Sequence, residues 1–106
     1  MINEEIQAVS NFGLRLIETE FSHFSRNGTD NSEFISAIKR IADTAFVFLK
    51  AGSASITICT SVKEQFINRA RELFVQEWLK PLEDDDEESP DADEAIETFN
   101  VLLGRK

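Results

Sequence analysis

Apolar residues recur every three or four positions through four stretches of this chain, a spacing that suits amphipathic helices and few other structures. At about 100° per residue, Ile2, Ile6, Val9, Gly13, Leu16, Ile17 and Phe24 share one face of a helix predicted over Asn3 to Ser25. Glu4, Gln7, Asn11, Arg15, Glu18 and Ser22 lie opposite. Phe12, Leu14 and Phe21 widen the apolar sector to roughly 200°, more than one neighbouring helix usually covers. The first helix is therefore expected either to be central or to bury a second face against another subunit.

The cluster from Arg26 to Asn31 reads as a turn, with Asp30, Asn31 or Ser32 capping a second helix that runs to about Ala51. Gly52 is placed to end it. Phe34, Ile38, Ile41, Ala42, Ala45, Phe48 and Leu49 share its inner face, Val47 is on the wrong side and Phe46 is at the edge. Residues 53 to 60 are ambiguous. Ile56 and Ile58 alternate with Thr57 and Cys59 as in a short strand, and Ser61-Val62-Lys63-Glu64 is a capping box that would start a helix late. An early, weak helical start near Ser55 is the favoured reading, because it leaves the short connection that helical bundles prefer. The third helix reaches about Lys80, before Pro81, with Val62, Phe66, Ala70, Leu73, Phe74 and Trp78 inward. Ser89-Pro90-Asp91 signals a fourth, which carries Ala92, Ala95, Ile96, Phe99, Leu102 and Leu103 on one side and stops at Gly104. The expected fold is all-α: residues 1–106 as a single four-helix bundle-like domain. Nine Phe and no Tyr suit its core, since Phe brings apolar area without a polar tip.

Charge is unevenly distributed. The formal net charge is −9, and residues 83 to 94 alone hold nine carboxylates and no base, so the rest of the chain balances eleven acids against eleven bases. Repulsion among the consecutive acids from Glu83 to Glu88 disfavours a helix, so 83–88 is expected to be a solvated, mobile acidic linker before the last helix. Direct nucleic-acid binding is disfavoured, because it needs clustered cations. A basic protein partner, such as a nucleic-acid-handling protein, suits the acidic run. The longest unbroken apolar run is the five residues from Ala45 to Leu49, far short of the ~20 that span a bilayer. One cysteine, Cys59, and an acidic start without signal-peptide features point to a cytoplasmic protein.

Catalytic signatures are missing: there is no glycine-rich phosphate loop, zinc spacing or nucleophile elbow. Cys59 and His23 would form a nucleophile–base pair only if the fold joined them, and Cys59 reads better as a buried thiol. Glu20-Phe21-Ser22-His23 has the Glu-x-x-His spacing of carboxylate-bridged metal bundles, and Glu77 also points into an apolar stripe. Glu20, His23 and Glu77 are thus the candidates for a metal site, although edge carboxylates paired with Arg69, Arg71 or Lys39 explain them equally. From Asp84, a calcium-loop register places Ser89 where Gly is needed and Ala95 where Glu is needed, so no EF-hand is expected.

These features predict a non-enzymatic, cofactor-free protein-binding module that regulates or inhibits a partner. Asp84, Asp85, Asp86, Glu87 and Glu88 would contact the partner electrostatically, Val75 and Leu79 by apolar contact. Homodimerisation through the first helix and its off-stripe neighbours is also expected. The alternatives are a self-assembling structural or assembly-chaperone component and a carboxylate-bridged metal protein.

Overall fold

The computed structural model describes residues 2–27, 31–78 and 92–104. They form four α-helices and no strand: α1 (Asn3–Asn27), α2 (Asn31–Ala51), α3 (Ile56–Trp78) and α4 (Ala92–Leu103). This is the expected all-α, four-helix bundle-like architecture. No described helix is long and apolar enough to cross a membrane. The expected mobility of 83–88 and the cap at Ser89-Pro90-Asp91 lie outside the described residues, as does position 30 before α2.

The ambiguous segment becomes helix from Ile56 onward. The Ser55 hydroxyl accepts a hydrogen bond from the Ile58 amide at 3.2 Å, and its carbonyl accepts the Cys59 amide at 3.0 Å. Ser55 is therefore the N-cap. The capping-box residues 61–64 lie inside α3, where the backbone amides they would cap already belong to a continuous helix. The alternation of Ile56 and Ile58 does not mark a strand: Cys59 is fully buried and Ile56 is exposed.

The end of α2 differs from expectation by one residue. Ser53, not Gly52, adopts the left-handed conformation, at φ 69°. The Ala54 amide reaches the Leu49 carbonyl and the Ser53 amide reaches the Lys50 carbonyl, both at 3.0 Å. These two bonds define a Schellman cap with serine where glycine is usual. Gly104 ends α4 as expected, at φ 93°.

Three helices pack up and down, and the polar contacts fix their directions. Ser10 donates to Gln65 Oε1 at 3.0 Å, and Arg69 pairs with Glu18 at 3.0 Å, so α1 runs parallel to α3. The Lys63–Asp43 bridge at 3.0 Å and the stacking of Phe24 on Phe34 at 5.0 Å between centroids make α2 antiparallel to both. The Glu18 hydrogen bond, ahead of the charges of Glu72 and Glu18, raises the Arg69 pKa above the ordinary arginine value against the opposing effect of burial. α4 packs on α2 and α3 and makes no contact with α1. Arg71 ties it down, donating to Asn100 Oδ1 at 3.2 Å and standing 5.4 Å from the centroid of the Phe99 ring.

One core draws on all four helices, from Ile17 through Ile38, Leu49, Phe66 and Phe74 to Phe99 and Leu103. Each large side chain fully withdrawn from water contributes about 1.5–3 kcal/mol. The closest approach is at Gly13. A Cβ added there would lie under 3.0 Å from three atoms of the Phe66 ring. The missing side chain lets that ring pack directly against the α1 backbone.

Candidate functional site

The fold separates the residues that might have made a catalytic pair. Cys59 is buried near the start of α3, with its thiol 3.8 Å from the Ala54 carbonyl. His23 is exposed near the end of α1. Because α1 and α3 run parallel, the two lie toward opposite ends of the bundle.

The metal candidates are not gathered either. Glu20 and His23 line a shallow groove of about 470 Å³ between the end of α1 and the start of α2, together with Glu33 and Arg40. Glu77 is not part of that groove. Among the described residues, no group of three or more His, Cys, Asp and Glu side chains is placed to hold a metal ion. Arg69 bonds Glu18 and Glu72, and Arg71 bonds Asn68 and Asn100. The pairing of Glu20 or Glu77 with these arginines is therefore replaced by other partners.

Of the residues expected to contact a partner, Val75 is half-buried on α3. Leu79, Asp84, Asp85, Asp86, Glu87 and Glu88 lie outside the described residues. The off-stripe Val47 is 65% exposed on α2.

The main apolar feature lies elsewhere. α1 and α2 diverge over an open groove of about 490 Å³. Ala8, Phe12 and Leu16 form one wall, Arg40, Thr44 and Phe48 the other, and Phe66 of α3 forms the floor. Phe12 is 61% exposed and Phe48 57%. Arg40 is the one charged residue in its lining. Two exposed phenylalanines beside an apolar furrow make a concentrated hydrophobic surface of the kind that marks interaction sites. The groove offers no nucleophile, general base or oxyanion donor, so its chemistry is that of apolar contact with a charge at one end.

Half of this feature is legible in the sequence. Phe12 belongs to the apolar excess of the first helix, whereas Phe48 is assigned there to the core stripe of the second. Its exposure arises because α1 meets α2 through the Ile41 and Ala45 side and diverges at the Phe48 turn. Nothing in helical periodicity marks such divergence. Gly13 counts in the sequence as one more member of the apolar face, yet it is the contact that brings Phe66 up as the floor. No protein family, curated protein or solved structure matches this chain.

Proposed function

We propose that this chain is a non-catalytic protein-binding module that regulates or inhibits a protein partner. The observation that carries the reading is the open apolar groove between α1 and α2, with Phe12 and Phe48 exposed along it. Apolar contact supplies affinity by withdrawing such rings from water. The nine carboxylates between residues 83 and 94 add long-range attraction for a basic protein, such as one that handles nucleic acid. A cytoplasmic location agrees with the single cysteine, which is buried rather than paired.

The test uses two variants and one purified partner, isolated with the wild-type chain and identified by mass spectrometry. Replacing Asp84, Asp85, Asp86, Glu87 and Glu88 by their amides is expected to slow association and flatten its salt dependence. Phe48→Asp, at an exposed position, is expected to abolish a protein contact while leaving the helical circular dichroism intact. If neither variant alters any protein contact, self-association included, the reading is wrong.

A further inference from the structure

We infer that the occupant of the α1/α2 groove is a second copy of this chain, seated about a two-fold axis normal to the groove. The inference rests on the reading of that groove as a protein-docking face and names its partner.

The charge pattern along the groove is the first support. Glu5 stands three and four residues before Ala8 and Val9 and seven before Phe12, so it continues the α1 wall toward the N-terminus. Arg40 closes the other end on α2, at the level of Leu16. Both are exposed, and among the described residues neither has an ion-pair partner. Their separation along the bundle is eleven residues of α1, or about 16 Å at 1.5 Å per residue.

A two-fold axis midway between them reverses the groove end to end and lays α1 of one copy over α2 of the other. Glu5 of each copy then falls at the level of Arg40 of the other. The same operation brings Phe12, one to two residues from the midpoint on α1, to the level of Phe48. One symmetry operator thus satisfies both charges and covers both exposed rings, as a self-complementary isologous interface requires.

Size is the second support. α2 has 21 residues and is about 31 Å long; two helices side by side are about 18 Å wide. The flat face is on the order of 600 Å², and side-chain relief brings its accessible area toward the roughly 800 Å² per partner of a standard interface. Electrostatics do not oppose the pairing. The chain outside residues 83–94 is balanced in charge, and α4, which follows the acidic run in sequence, does not touch α1.

The experiment is a charge swap read by sedimentation equilibrium and light scattering of the full chain at low ionic strength. Wild type is expected at twice the 12.0 kDa of one chain at micromolar concentration. Glu5→Arg and Arg40→Glu each set two like-charged contacts into the dimer and are expected to weaken it about tenfold. Combining them in one chain restores opposite charges and is expected to return the dissociation constant to within about threefold of wild type. Both positions are exposed, and circular dichroism confirms that each variant is folded. A dimer indifferent to the single changes, or not rescued by the double change, overturns the inference. So does a monomeric wild type. If that monomer binds a foreign partner through Phe48, the groove remains a docking face with a different occupant; if Phe48→Asp alters no contact at all, the docking face falls with the dimer.

Discussion

Gly13→Ala tests the packing beneath the groove, because two known effects oppose each other there. Alanine is favoured over glycine inside a helix by about 1 kcal/mol. On an open helix surface the substitution would stabilise the chain. Here the new Cβ would lie under 3.0 Å from three atoms of the Phe66 ring. Phe66 is 0% exposed, so the ring can retreat only by displacing core neighbours. Overpacking of this kind costs about 1–3 kcal/mol, and an overlap with three ring atoms belongs at the upper end. The net expectation is a loss of about 2 kcal/mol, read as a lower urea midpoint at unchanged slope by circular dichroism at the helical minimum. Phe66→Leu removes the offending ring atoms, so it should cost less in the Gly13→Ala background than alone. The coupling is expected to be about 1 kcal/mol or more. A Gly13→Ala chain as stable as wild type, or strictly additive effects, would refute the argument that the absent side chain seats the ring.

Other expectations concern the helix ends and α4. Ser53→Gly should raise stability by about 0.5–1 kcal/mol, because the left-handed position disfavours any residue with a Cβ; an unchanged urea midpoint would count against the Schellman cap. Ser55→Ala should cost about 1 kcal/mol as the loss of an N-cap, while Ser61→Ala should be nearly neutral; the reverse order would place the start of α3 at the capping box. Arg71→Ala removes the Asn100 hydrogen bond and the Phe99 contact, so amide exchange in α4 should speed up more than in α2; uniform acceleration would mean that the bundle opens as one unit. Manganese or iron added to the purified protein is expected not to bind stoichiometrically, and uptake that Glu20→Ala abolishes would revive the metal reading.

Much of the fold can be read from the sequence because helical periodicity is a local signal. Ile38, Ala42, Ala45 and Leu49 fall on one predicted face and are all buried. What sequence spacing does not convey is how two helices meet. Ser61 to Glu64 carries the pattern of a helix start and lies inside α3, because the Ser55 hydroxyl had already opened the helix a turn and a half earlier. Gly52 is the residue type that ends helices, yet the hydrogen bonds to Leu49 and Lys50 place Ser53 in the left-handed position. Both cases turn on a shift of one or a few residues, which competing local signals leave open and three-dimensional packing decides.

The candidate site depends on how much of each apolar face the neighbours cover. The roughly 200° sector on the first helix leaves two outcomes: a central helix covered on several sides, or a peripheral one with area to spare. α1 proves peripheral. It touches α2 and α3, which bury Ile17 and receive Gly13 against Phe66, and no described helix packs on its remaining side. α2 and α3 each contact all three other helices and are the central pair. The fourth helix could have closed the gap, but it binds the α2/α3 pair without touching α1. Phe12 and Leu16 are therefore left in the open by topology rather than by any irregularity in their spacing, and Phe48 joins them from across the groove. An apolar sector that the sequence makes too wide for one neighbour, on a helix the fold makes peripheral, leaves a surface suited to a protein partner. Arg40 and Glu5 at its two ends then favour a partner that carries the same pair in reverse order.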